Sequence, residues 1–325
     1  MHPALTYGDI EQATERIAGT LRPVVLARGD APTADAQLWL ALEYLQHTGC
    51  FKARGAWNFI AAHRKDGTLP DAGVTIASGG NAGLACAWAA QQGQVPARVF
   101  LPESAPQVKV RRLLGYGAEV VLVPGEYADA AEECRRWAEA SGALLSHAYD
   151  DPYVAAGAGT LVDEIRGRLP ELDTLVVAVG GGGLFAGVAT AAARHGLRTV
   201  GVEPAGCQAL HDAIAAGRPV DVTVDSVAAD SLGARRVTAL ALHAAQQPGM
   251  SSVLVDDSSI VAARQSLWDG HRIVVEHGAA TALAALTSGA YVPAPGETVA
   301  VVLCGANTDP ADLAAAPAAG EYLRP

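Results

Sequence analysis

Short apolar runs alternate with helical segments along most of the 325-residue chain, and this alternation limits the fold more than any single motif does. "GVTIAS" (73–78), "ARVFLP" (97–102), "AEVVLVPG" (118–125) and "ALLSHAY" (143–149) read as strands. Between them, "NAGLACAWAAQQG" (81–93), "APQVKVRRLLGYG" (105–117) and "YADAAEECRRWAEASG" (127–142) read as helices. A second block repeats the pattern. Its strands are "DTLVVAVG" (173–180), "TVGVEP" (199–204), "SSVLVDD" (251–257) and "TVAVVLCG" (298–305), and its helices include "AGTLVDEIRGRL" (158–169) and "AATALAALTSG" (279–289). Upstream, "IEQATERIAG" places Ile10, Ala13 and Ile17 at helical spacing, while "AQLWLALEYL" (36–45) reads as a buried strand. Strands this uniformly apolar belong to mainly parallel sheets covered by helices on both faces, so the expected class is α/β. The length and the 50% hydrophobic content suffice for two lobes. Residues 314–325 read as a loose tail.

Charge excludes several functions. Only 18% of residues are charged and the net charge is −11, so nothing offers a basic footprint to nucleic acid or to an acidic membrane. No apolar run reaches the roughly 18–20 residues needed to cross a bilayer. The first residues show neither a signal peptide nor a transit pattern, and a cytoplasmic location is expected. Cys50, Cys86, Cys134, Cys207 and Cys304 are widely spaced without a CxxC pair, which argues for reduced thiols.

Four glycine-bounded stretches carry the chemistry. In "TGCFKARGA" (48–56), Lys52 follows Phe51 at a turn, where apolar packing lowers an amine's pKa and leaves it able to form a Schiff base with an aldehyde cofactor. Taken alone it reads first as a solvated surface lysine. Gly180-Gly181-Gly182-Gly183, followed by Leu184, joins a strand to a helix, the place where backbone N–H groups cradle a phosphate. A dinucleotide site is the rival there, with Glu203 near the position of a ribose ligand. Ser78-Gly79-Gly80-Asn81-Ala82 occupies another strand-to-helix junction; it is either a helix cap or a carboxylate site. Cys304 ends a strand, where a thiol is often no more than a small hydrophobe.

Together, "TGCFKARGA", "ASGGNAG" (77–83), "VGGGGL" (179–184) and "CGANTD" (304–309) resemble, in the same order, the motifs of the tryptophan-synthase-β-like, fold-type II pyridoxal-phosphate enzymes. The resemblance implies a two-lobe architecture: residues 1–54 and 148–325 form the large cofactor-binding domain, and residues 55–147 form a smaller inserted one that carries the substrate loop. It implies pyridoxal 5'-phosphate held by Phe51, Lys52, Asn81, Gly180–Gly183, Leu184, Glu276 and Cys304, with Lys52 as the catalytic residue. Ser78, Gly79, Gly80, Asn81 and Ala82 would hold the α-carboxylate of a small amino-acid substrate. Cys304 would face the pyridine nitrogen, where a neutral donor makes the ring a milder electron sink and favours prompt loss of a β-leaving group.

"GNAG" together with "SVAADSLGARRV" (226–237) resembles the serine/threonine dehydratase branch. The implied reaction is α,β-elimination from threonine, serine or a bulkier β-substituted serine such as a β-aryl-serine, giving a 2-oxo acid and ammonia. Gly79 and Ala148 leave the pocket roomier than in a strict serine enzyme. Racemisation is the alternative within the family. It needs an acid two residues before the loop asparagine, and that position is Gly79. From another class, a nucleotide-dependent oxidoreductase built on the Gly180 loop stays open. Glu203 and Cys207 are the residues to which a monovalent cation such as K+ would be assigned; the plain alternative for Glu203 is a solvated strand end. The family is commonly dimeric, so a homodimer is expected.

Overall fold

Two mainly parallel sheets, built in alternation with helices, organise the computed structural model, which describes residues 4–31, 33 and 35–315. Helix α1 (Tyr7–Ile17) starts at a capping box in which Thr6 and Asp9 satisfy each other's backbone N–H groups, and it buries Ile10, Ala13 and Ile17 as their spacing predicts. Strands β1 (Leu26–Arg28) and β2 (Gln37–Ala41) pair antiparallel. The strand expected over 36–45 ends at Ala41: Glu43–Leu45 and His47–Gly49 are 3₁₀ turns that carry the chain over the end of the sheet. Glu43 explains the break, because its buried carboxylate turns inward to meet the Arg54 guanidinium at 2.5 Å.

Helix α2 (Lys52–Lys65) leads into the smaller sheet, built from β3 (Val74–Ala77), β4 (Ala97–Pro102), β5 (Glu119–Val123) and the two-residue β6 (Leu144–Leu145) in the order β5-β4-β3-β6, all parallel. Helices α3 (Asn81–Gly93), α4 (Gln107–Gly115) and α5 (Tyr127–Ser141) connect those strands.

Helix α6 (Pro152–Arg168) returns the chain to the larger sheet. It begins six residues before the predicted start, with Asp151 accepting the Val154 N–H at 3.0 Å and Pro152 in the first turn. Gly157 and Gly159 are points of close approach. A Cβ on Gly157 would lie 2.6 Å from the Arg54 carbonyl oxygen, and one on Gly159 2.7 Å from that of Gly187. The sheet continues with β7 (Thr174–Ala178), α7 (Gly183–Arg194), β8 (Arg198–Pro204), α8 (Ala209–Ala216), the short helices α9 (Ala229–Leu232) and α10 (Ala239–Ala245), β9 (Met250–Val255), α11 (Asp257–His271), α12 (His277–Thr287) and β10 (Thr298–Val302). Its order is β1-β2-β10-β7-β8-β9, so β10 lies in the middle, with Val301 beside both Leu40 and Val176. Every residue of β7 and β10 is buried, as parallel strands covered on both faces should be.

Helix α13 (Ala311–Ala315) closes the described part, and the tail expected at 314–325 lies outside it beyond Ala315. Among the described residues no helix is long and apolar enough to cross a membrane, and all five cysteines are free and buried.

Candidate active site

Lys52 is the first residue of α2, and the strand-like segment before it is fastened to the end of the larger sheet. Cys50 and Gly305 form an antiparallel bridge, Phe51 N–H donates to the Cys304 carbonyl at 2.9 Å, and Ala306 N–H donates to Gly49 at 2.9 Å. These bonds bring the amine of Lys52 and the thiol of Cys304 into one cavity, although 252 positions separate them in sequence. Lys52 Nζ donates to the Ala148 carbonyl at 3.1 Å and lies 4.8 Å from the centre of the Phe51 ring. Burial holds the Lys52 amine below its usual pKa, against the opposing pull of Cys50, Cys304 and Glu276. Burial likewise pushes the Cys50 thiol up to about 11 and the Cys304 thiol higher still, so both stay protonated at neutral pH.

The cavity has a volume of about 640 Å³. Phe51, Lys52, Ser78, Gly79, Gly80, Asn81, Ala82, Gly180–Gly183, Leu184, Glu276 and Cys304 all line it. Helix α3 starts from Gly80 without a side-chain cap, which removes the plain capping explanation of this loop. Asn81 is instead the first helical residue; its Nδ2 donates to both oxygens of Glu276 at 3.0 Å, and its Oδ1 accepts from Asn307 Nδ2 at 2.6 Å. Glu276 is buried, and burial raises its pKa despite the Asn81 amide and the Lys52 charge.

Helix α7 also starts uncapped, from Gly182 in the left-handed region at φ 93°. Its first-turn N–H groups have no partner within the helix, and the residues that carry them, Gly183, Leu184 and Phe185, line the cavity. The glycines are sterically required. A Cβ on Gly181 would lie 2.3 Å from the Tyr149 ring, one on Gly182 2.4 Å from the Ala241 side chain, and one on Gly183 2.9 Å from the Tyr149 carbonyl.

Glu203 and Cys207 do not line this cavity. Glu203 is not a solvated strand end: it is fully buried and accepts the N–H groups of Leu210 at 2.6 Å and His211 at 2.8 Å, at the start of α8. Its carboxylate is therefore spent on a helix N-terminus and is not offered to a ribose beside Gly180, which removes the geometry the dinucleotide alternative needs. Among the described residues no group of three or more His, Cys, Asp or Glu could hold a metal ion.

Several lining residues were not singled out from the sequence: Lys109, Arg112, Tyr127, Tyr149, Ser231, Arg235 and Asn307. Asn307 stands inside the "CGANTD" stretch and Tyr149 next to Ala148, so both were within reach. Nothing in local spacing points to α4.

The profile of the family described as "Pyridoxal-phosphate dependent enzyme" matches residues 17–305. The chain belongs to this family. It is 33% identical over 329 residues to the L-threonine ammonia-lyase of Geobacter sulfurreducens, covering 98% of this chain and 81% of that protein. It is 35% identical over 275 residues to the phenylserine dehydratase of Ralstonia pickettii, covering 84% and 83%. The solved structure of maize serine racemase superposes with a TM-score of 0.87 at 29% identity, covering 96% of this chain and 97% of that one.

As a pyridoxal-phosphate enzyme the chain has residues that fit its cofactor. The uncapped α7 start with its three sterically required glycines suits a phosphate. A cavity-facing amine of lowered pKa suits an aldehyde, and a protonated thiol suits an unprotonated pyridine nitrogen.

Proposed function

We propose that this pyridoxal-phosphate enzyme is a dehydratase that converts a β-hydroxy amino acid to a 2-oxo acid and ammonia, in the serine/threonine class. The observation that carries the reading is the composition of one cavity: Lys52 as an amine of lowered pKa, Cys304 as a neutral thiol, and at Gly79 a loop position with no side chain to act as a second acid. Similarity to a threonine ammonia-lyase and a phenylserine dehydratase supports it. Racemisation is disfavoured because Gly79 cannot return a proton to the face that Lys52 does not serve.

When bound, the cofactor supplies a covalent anchor for the amino acid and an electron sink for its Cα–H bond. The chain supplies the rest. Backbone N–H groups of Gly180–Gly183 and Leu184 hold the phosphate, and those of the Ser78–Ala82 loop hold the α-carboxylate. Lys52 Nζ takes the Cα proton and holds it where the departing β-hydroxyl can use it. Cys304 keeps its proton, which leaves the electron sink mild and makes loss of the leaving group the preferred outcome. Residues 55–147 act as the smaller lobe, bringing the carboxylate loop to the phosphate cradle and Cys304 of the larger lobe (1–54 and 148–325). A homodimer in the cytoplasm completes the reading; light scattering of the purified protein tests the dimer.

The decisive experiment incubates the holoenzyme and Lys52→Ala with threonine, serine and 3-phenylserine. The wild type should release a 2-oxo acid and show a visible absorption band, and Lys52→Ala should lose both. A protein that stays colourless with added pyridoxal phosphate would overturn the reading.

A further inference from the structure

Helix α4 presents two cations to the cavity. Lys109 and Arg112 are three residues apart and so share a helix face. Lys109 is engaged: its Nζ lies 3.4 Å from Asp230 Oδ1, and its stem passes 3.7 Å from where a Cβ on Gly79 would stand. Arg112 pairs with no carboxylate among the described residues. Its Nη2 donates to the amide oxygen of Asn307 at 2.5 Å, and Asn307 in turn donates to Asn81. The guanidinium thus stands two hydrogen bonds from the end of the carboxylate loop, with most of its five donors uncommitted among the described residues.

An amino acid brings one α-carboxylate, and the loop N–H groups account for it. The cavity's own acids are taken, Asp230 by Lys109 and Glu276 by Asn81. Arg235 also lines the cavity, two residues from Val237, whose side chain would meet a Cβ on Gly182 at 2.7 Å, and we assign it to the phosphate side. Arg112 is left facing the substrate side, and a guanidinium fork matches a carboxylate in two parallel hydrogen bonds.

We propose that Arg112 is a specificity-determining residue that selects β-hydroxy amino acids bearing a second carboxylate on the β-carbon, the 3-hydroxyaspartate class. This rests on the dehydratase reading. The step balances without a co-reactant: the Cα proton passes to Lys52, the Cβ–O bond breaks, and the hydroxyl leaves with a proton as water. The released enamine tautomerises and takes up one water, giving 2-oxobutanedioate and ammonia. Arg112 exchanges the Asn307 amide for the distal carboxylate.

The test has two arms, both on holoenzyme. In the first, kcat/KM is measured for the stereoisomers of 3-hydroxyaspartate, for threonine and for 3-phenylserine. Wild type should prefer a 3-hydroxyaspartate. Arg112→Met should lower the ratio of its kcat/KM to that of threonine by about tenfold or more, the scale of a lost charge-assisted pair, and Arg112→Lys should restore part of it. In the second, calorimetry compares succinate with butyrate, two four-carbon acids that differ by one carboxylate. Wild type should bind succinate the tighter, and Arg112→Met should bind both alike. The proposal is overturned if 3-phenylserine or threonine is preferred and Arg112→Met leaves the ratio unchanged, or if wild type does not distinguish succinate from butyrate. Arg112-dependent succinate binding without 2-oxo acid from any substrate would sustain the Arg112 site and overturn the dehydratase reading.

Discussion

At the scale of single residues, the phosphate cradle is defined by what its glycines exclude. Gly181 is buried against Tyr149, and a Cβ there would lie 2.3 Å from the ring. Gly181→Ala must push the ring or the loop, an overpacking cost of about 1–3 kcal/mol. Its expected outcome is weaker retention of pyridoxal phosphate, read as the cofactor concentration that half-restores the visible band. The glycine run itself was visible in sequence as a strand-to-helix junction; its reason was not, because Tyr149 and Ala241 reach it from distant segments. The same limit hid Arg112. A helix of nine residues with one buried face says nothing about which loop its exposed face will cross.

At the scale of elements, strand-and-helix alternation was legible because parallel strands covered on both faces are mostly apolar, and β7 and β10 are buried at every position and apolar after their first threonine. The readings that failed did so at contacts. The start of α6 lies six residues earlier than the 158–169 pattern placed it, and its glycines Gly157 and Gly159 admit the backbones of α2 and α7. The strand over 36–45 was drawn too long because a turn driven by the Glu43–Arg54 pair leaves no periodic trace. Glu203 ties β8 to α8, and burial lifts its carboxyl from 4.5 to about 7. The folded state binds the Glu203 proton more tightly than the unfolded chain does. Its contribution is therefore fully present below the unfolded value and is lost as pH rises through about 7. Melting temperatures of the wild type should fall across that window, and those of Glu203→Gln should fall less.

At the scale of the whole molecule, one buried cation joins distant parts of the chain. Arg54, fully buried in α2, donates to Glu43 after β2 and to Thr160 and Glu164 of α6, and Glu164 also accepts the Val24 N–H at 2.9 Å. Burial works to raise the Glu164 pKa, yet the hydrogen bonds and charge of Arg54 outweigh it and hold it below the usual value. Arg54→Met would strand the buried Glu43 carboxylate, at a cost of about 3–5 kcal/mol. Urea unfolding should show that loss, and Lys52-dependent cofactor colour should survive in the fraction that remains folded.

The position of β10 sets an order of events. It is the last strand of the described chain, and it lies between β2 and β7. Until β10 has been added, the facing edges of β2 and β7 are therefore without their common neighbour, and such edges invite pairing with other chains. Cys304 follows β10 directly, and the bonds that anchor the Lys52 turn come from Cys304 and Gly305. The insertion that covers those edges is thus also the one that fastens the Lys52 turn and completes the wall of the pocket.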